Sequence, residues 1–181
     1  MINEKQDIGN IIVGCINEDR KAQEQFYRKF YPAMMTLCLR YTKNETDALE
    51  VLNTGFHKVF KNIDKYDNRK ASVYTWIRTI IINSCLDFIK ASGSKIETKE
   101  LDDVISVDLP PDIISRMSAN EILQLVRQLS PATQAVFNLY VIEGYHHKEI
   151  ATLMKISEGT SKWHLSEARR KLQKMINEQQ K

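Results

Sequence analysis

The chain has 181 residues, 43% hydrophobic and 27% charged, with only 6 Gly and 4 Pro, which excludes a collagenous, low-complexity or disordered polymer. No apolar run approaches the roughly 18 residues of a membrane span, and the N-terminal MINEKQDIGNIIVG lacks a long apolar stretch with a cleavage site, so neither membrane insertion nor a secretory signal is expected and the chain reads as cytoplasmic. The net charge of +3 is unevenly spread: residues 1–92 hold 14 basic and 11 acidic side chains, residues 93–115 hold 2 and 6, and residues 116–181 hold 10 and 6, so two basic blocks flank an acidic stretch.

The first block reads as all helix. From Asp19 onward, Phe26, Tyr27, Phe30, Met34, Leu37, Cys38 and Tyr41 recur at steps of three and four, the period of an amphipathic helix that Pro32 kinks or divides. Asn44 supplies an N-cap for a second helix through Ala48, Val51, Leu52, Phe56, Val59 and Ile63. A polar loop from Asp64 to Lys70 follows, and Ser72 caps a third helix with Val73, Trp76, Ile77, Ile80, Ile81, Phe88 and Ile89 on its apolar side. Trp76 lies within that stripe and is expected in the core.

The acidic stretch, from Ser92-Gly93-Ser94 to Leu109-Pro110-Pro111, has small residues at its start, prolines near its end and no helical period, which marks a flexible linker. Beyond it, a helix begins at Glu121, and Ser130-Pro131 places an N-cap and a first-turn proline ahead of a helix that stops at Gly144. A short helix, His147 to Met154, then turns through Lys155-Ile156-Ser157 into a long helix from Glu158 to about Ile176. This is the helix-turn-helix pattern. On the long helix Ser161, Leu165, Ala168, Leu172 and Met175 share one side, leaving Lys162, Trp163, Ser166, Glu167 and Arg170 on or near the other. The expected architecture is all-α: two small helical domains, 1–92 and 116–181, joined by a linker over 93–115, the second a helix-turn-helix.

Cys15, Cys38 and Cys85 are widely spaced in apolar patterns and read as buried thiols; no His falls at a zinc-binding spacing to a Cys or carboxylate. No phosphate loop, nucleophile elbow or metal cluster is visible, so neither an enzyme nor a resident metal or cofactor is expected.

These residues resemble the extracytoplasmic-function (ECF) sigma factors, bacterial initiation factors that direct RNA polymerase to promoters. Asp47 through Phe56 resembles the region-two helix that docks on the polymerase clamp; Ser72 through Ile80 with Asn83 and Asp87 resembles the melting and minus-ten segment; Glu143-Gly144-Tyr145 through Ala151, Ser157 through Lys162 and Ala168-Arg169 resemble region four, which reads the minus-thirty-five element. The chain departs from the pattern at Asn53 and Thr54, where Gln and Glu are usual, at Ile82, at Lys155 in the turn, and at Ser161, Trp163 and Glu167.

The resemblance implies a polymerase surface of Asp47, Glu50, Asn53 and Phe56, although Phe56 also suits a core position. It implies minus-ten contacts from Asn68, Arg69, Lys70, Tyr74, Arg78, Asn83 and Lys90, with the Lys65–Lys70 loop walling a pocket for an unstacked base. It implies minus-thirty-five contacts from His147, Lys148, Thr160, Lys162, Trp163, Ser166, Glu167, Arg169 and Arg170. The implied partners are core RNA polymerase, promoter DNA and an anti-sigma factor, with no small-molecule substrate. The rival is a one-component helix-turn-helix regulator, which would place a ligand pocket or dimer interface in the first block and have no affinity for polymerase.

Overall fold

The computed structural model of the chain describes residues 2–91 and 119–179, and among these residues all regular structure is helical. The expected linker over 93–115 lies outside the described residues. The chain divides into two compact units, Met1–Leu39 with Asn44–Cys85, and Arg40–Lys43 with Leu86–Lys181.

The first unit opens with α1 (Ile2–Ile16), which the sequence periodicity did not bring out. Ile11 and Cys15 of α1 are buried, and its last turn comes so close to the next helix that a Cβ on Gly14 would lie 2.5 Å from the Ala22 Cβ. Only glycine permits that approach. Glu18, at φ 58, reverses the chain, and the Asp19 carboxylate accepts from the Lys21 and Ala22 amides, each at 3.2 Å, so Asp19 caps α2 (Arg20–Leu39). Pro32 does not divide α2, which runs unbroken through it.

Asn44 caps α3 (Glu45–Lys61) as expected, its side-chain oxygen accepting from the Asp47 amide at 2.8 Å. Such a cap is worth about 1 kcal/mol. A 3-10 turn, Ile63–Lys65, buries Ile63 and leads into the loop before α4 (Val73–Ala91), where the Ser72 hydroxyl accepts from the Thr75 amide at 3.1 Å. Phe26, Met34, Leu37, Leu52, Val59, Ile77 and Ile81, each at most 1% exposed, form the core of this unit. α3 and α4 approach closely at Gly55, where a Cβ would meet the Ile81 Cδ1 at 2.4 Å.

The second unit contains α5 (Ala119–Val126) and α6 (Pro131–Phe137), with Pro131 at the first helical turn. The Ser130 hydroxyl bonds Thr133 Oγ1 at 2.9 Å instead of a backbone amide. Past Phe137 the helix widens into a π turn over Asn138–Ile142 before Gly144, at φ 78, ends it. Then come α7 (His147–Met154), whose Glu149 accepts from the His146 amide at 2.8 Å, and α8 (Glu158–Gln179). Lys155 occupies the turn at φ 59, a left-handed position that costs a non-glycine residue roughly 1 kcal/mol. Ala135, Val136, Ile150, Met154, Leu165, Ala168 and Leu172 bury the contact of α6 and α7 with α8. The expected helix-turn-helix is therefore present with the expected three-residue turn.

Candidate functional site

On α3, a helix of 3.6 residues per turn rotates each three-residue step by about 60°. Asp47, Glu50, Asn53 and Phe56 therefore do not form one face. Glu50 and Asn53 are exposed and Asp47 is half-buried at the edge, where Asn44 Nδ2 donates to its carboxylate at 2.9 Å. Phe56 lies half a turn round from Asp47, is 2% exposed and packs 4.6 Å from the Tyr27 ring. It is a core residue and not a surface contact, which corrects that part of the expected polymerase surface. Sequence reasoning missed Tyr27, which donates its hydroxyl to Asn53 Oδ1 at 3.0 Å; the apolar stripe had placed it among core aromatics.

The α4 helix likewise splits its candidates. Asn83 and Lys90 share an exposed stripe with Thr79, whereas Tyr74 and Arg78 lie on the opposite side of the helix, Tyr74 45% exposed at its start and Arg78 half-buried. Ile82, beside Asn83, is 1% exposed, so an apolar residue there serves the core. Trp76, expected in the core, is half-buried with its ring 5.4 Å from Tyr66.

Asn68, Arg69 and Lys70 are all exposed on the loop. The Arg69 guanidinium is held by Asp67 through bonds of 3.0 and 2.9 Å, and that contact draws the Asp67 carboxyl below its ordinary range. Beside the loop, Ile8, Gly9 and Ile12 of α1 together with Tyr66, Asn68, Ser72 and Val73 line a cavity of about 470 Å³. Its lining is mostly apolar, with the polar side chains of Asn68, Ser72 and Tyr66 among it, and a Cβ on Gly9 would meet nothing within 4 Å.

In the second unit, Lys148 and Lys162 are exposed and Ser166 and Arg169 half-buried; of the set expected on the outward side of α8, Lys162 and Arg170 are exposed and Trp163, Ser166 and Glu167 half-buried. Thr160 is not on it. At 2% exposure it faces inward, its amide donating to Ser157 Oγ at 2.9 Å, so it closes the cap of α8 and cannot reach DNA from there. Ser161, a polar residue at an apolar position, is fully buried and satisfied by His147 Nδ1 at 2.9 Å. His147 also stacks on Tyr140, ring centroids 4.5 Å apart, so it ties α7 to α8 at the crossing. Burial first, then Lys162, hold the His147 pKa below its ordinary value, with Arg169 adding to the effect and Glu158 opposing it. Thr133 Oγ1 and His164 Nδ1 make a further buried polar pair at 3.0 Å. Among the described residues no group of three His, Cys, Asp or Glu could hold a metal, and no helix is long and apolar enough to cross a membrane.

What these surfaces can do is bind: carboxylate and amide groups on α3, a cationic loop beside an apolar cavity, and cations with hydrogen-bonding groups along the second helix of a helix-turn-helix. Comparison with known proteins gives the same picture. Residues 26–94 match the description "Sigma-70 region 2" and residues 119–172 match "Sigma-70, region 4". The chain is 23% identical over 177 residues to the ECF RNA polymerase sigma factor SigM of Mycobacterium tuberculosis, covering 96% of this chain and 86% of that one. It is 28% identical over 155 residues to the ECF RNA polymerase sigma factor SigW of Bacillus subtilis, covering 78% and 82%. In fold it is similar to the sigma factor RpoE of Bartonella quintana, solved in complex with the anti-sigma factor NepR, with a TM-score of 0.54 at 18% identity over 85% of this chain and 96% of the other.

Proposed function

The chain belongs to the sigma-70 family as an ECF sigma factor, and on that premise we propose how its residues divide the work. It is a transcription initiation factor that binds core RNA polymerase and directs it to promoters. The observation that carries this is the order of the two matches: a region-two segment on the first helical block and a region-four segment on the helix-turn-helix. A one-component regulator would hold an effector domain where this chain has region two, so that rival is not favoured.

In this reading residues 1–92 form the region-two domain, 93–115 the linker and 116–181 the region-four domain. Glu50 and Asn53, with Asp47 at the edge, meet the polymerase clamp. The cavity between α1 and the Tyr66–Val73 segment receives a base unstacked from the minus-ten strand, Asn68 supplying both a donor and an acceptor to its edge. Arg69, Lys70, Arg78 and Lys90 offer phosphate contacts that position the strand without specifying it. Asn83 and Tyr74, on opposite sides of α4, serve different parts of the strand. The outward arc of α8, with Lys148 from α7, enters the major groove at the minus-thirty-five element. The protein works by binding and positioning, without catalysis of its own, and acts in the cytoplasm where polymerase acts. Each DNA module binds weakly alone; tethering through polymerase makes the second contact intramolecular, so both elements are selected together. An anti-sigma factor is the regulatory partner.

The test is run-off transcription of bacterial genomic DNA by core polymerase with and without this chain, every start site being mapped. The reading predicts starts that depend on the chain and share two upstream elements at constant spacing. Starts that are the same with core alone would contradict it.

A further inference from the structure

We propose that Tyr27 is a positioning residue for the polymerase-binding face of α3: its hydroxyl holds the Asn53 amide so that the two N–H donors are presented to a hydrogen-bond acceptor on core RNA polymerase. This rests on the reading of the Glu50–Asn53 face as polymerase surface.

The hydroxyl of Tyr27 on α2 donates to Asn53 Oδ1 on α3 at 3.0 Å, joining residues 26 positions apart. Its ring is half-buried and packed against neighbouring aromatics. The Tyr27 ring lies 4.6 Å from Phe56 and 5.5 Å from Tyr31, and Phe56 is itself buried. Burial foremost, with Tyr31 and Cys38 adding to it, lifts the Tyr27 phenol above its ordinary pKa, so it keeps its proton and remains a donor across the physiological range.

Asn53 is exposed, and an exposed Asn left to itself samples several rotamers and both amide orientations. Binding then has to select one, with a loss of freedom that weakens the complex. With one lone pair of its oxygen engaged by Tyr27, the Asn53 amide is turned so that both of its N–H donors are kept for a partner. One helical turn away, Glu50 is exposed and, ionised, offers only acceptors. The face therefore carries a fixed polarity, acceptors at Glu50 and donors at Asn53. It fits a partner surface with a basic side chain opposite the first and a carbonyl or carboxylate oxygen opposite the second.

The test measures the affinity of the full chain for bacterial core RNA polymerase, with thermal melting of each variant alongside. Tyr27→Phe keeps both ring contacts and removes only the hydroxyl. It is expected to melt with the parent yet bind core five- to tenfold more weakly. Asn53→Ala should lose at least as much, and the double variant Tyr27→Phe/Asn53→Ala should be no weaker than Asn53→Ala alone, because the hydroxyl acts only through the amide. Asn53→Asp keeps an oxygen for the phenol and replaces the donors with a second oxygen, so it should bind as weakly as Asn53→Ala or more so. Parental affinity in Tyr27→Phe, or losses that add in the double variant, would overturn the proposal while the α3 face remained the polymerase surface. Parental affinity in Asn53→Ala would overturn that surface as well.

Discussion

Glu167 accepts two hydrogen bonds from Arg170 one turn further along α8, at 2.9 and 2.8 Å, and Lys171 approaches the same carboxylate at 3.3 Å. The guanidinium of a candidate DNA contact is thus already engaged before DNA arrives, and Arg170, by its hydrogen bond, holds the Glu167 carboxyl below its ordinary pKa. Glu167→Gln should release Arg170 for phosphate and remove a like charge from the approach. The expected result is tighter binding of the chain to duplex DNA and a steeper salt dependence, the log–log slope growing by about one unit. Filter binding across a salt series reads both; an unchanged slope would mean that Arg170 does not face the DNA backbone.

His147 is expected to make the helix-turn-helix sensitive to acid. Its folded pKa lies below the ordinary 6.5, so the unfolded chain takes up the proton more readily than the folded one. Its contribution to stability is therefore complete above pH 6.5 and lost as the pH falls from there through the depressed folded value. Melting at pH 7.5 and pH 5.5 should show a fall for the parent chain that shrinks in His147→Gln, which cannot be protonated. Equal falls in both would place the acid sensitivity elsewhere.

At the α3–α4 crossing, Gly55→Ala would drive a methyl to 2.4 Å from Ile81 Cδ1 and 3.6 Å from the Ile81 Cα, and Ile81 is fully buried. Overpacking of this kind costs about 1–3 kcal/mol, against up to ~1 kcal/mol recovered from the better helix propensity of alanine. The packing loss wins, and urea unfolding should show a lower midpoint. Gly9→Ala, on a helix whose Cβ direction is open, should not lower it.

Larger groups at Gly9 test the cavity itself. Gly9→Leu has room for its Cβ and improves the helix, yet its side chain would occupy space now lined by Tyr66, Asn68 and Val73. Promoter opening, followed by reactivity of unpaired thymines, should fall severalfold while affinity for core polymerase stays at the parental value. Normal opening by Gly9→Leu would remove the cavity from the melting mechanism.

Much of this architecture was legible because amphipathic period and caps point the same way in most elements: Asn44, Ser72 and the Lys155–Ser157 turn each stand where the sequence puts them. The helix α1 was not: among its described side chains, from Asp7 onward, Ile11 and Cys15 are buried while Val13 and Ile16 are exposed, so these apolar residues form no clean stripe. The π turn over Asn138–Ile142 has no sequence signature beyond the glycine that ends it. Among the candidate site residues, charge and exposure went together for Lys148, Lys162, Arg69 and Lys70. Phe56 and Thr160 failed for opposite reasons: one lies in a motif whose three-residue steps drift round the helix, and the other is a threonine whose amide completes a cap. The Tyr27–Asn53 and His147–Ser161 bonds join helices, and side-chain pairing between elements is invisible to periodicity along either one.

In the proposed function, core RNA polymerase docks on the exposed side of α3. Gel filtration of the purified chain with bacterial core polymerase, beside the Glu50→Ala/Asn53→Ala double variant, is the decisive experiment. Co-elution of the parent chain and its marked loss in the variant, with both proteins folded by circular dichroism, is the predicted result; a parent chain that elutes apart from active core, with no inhibitor present, would contradict it.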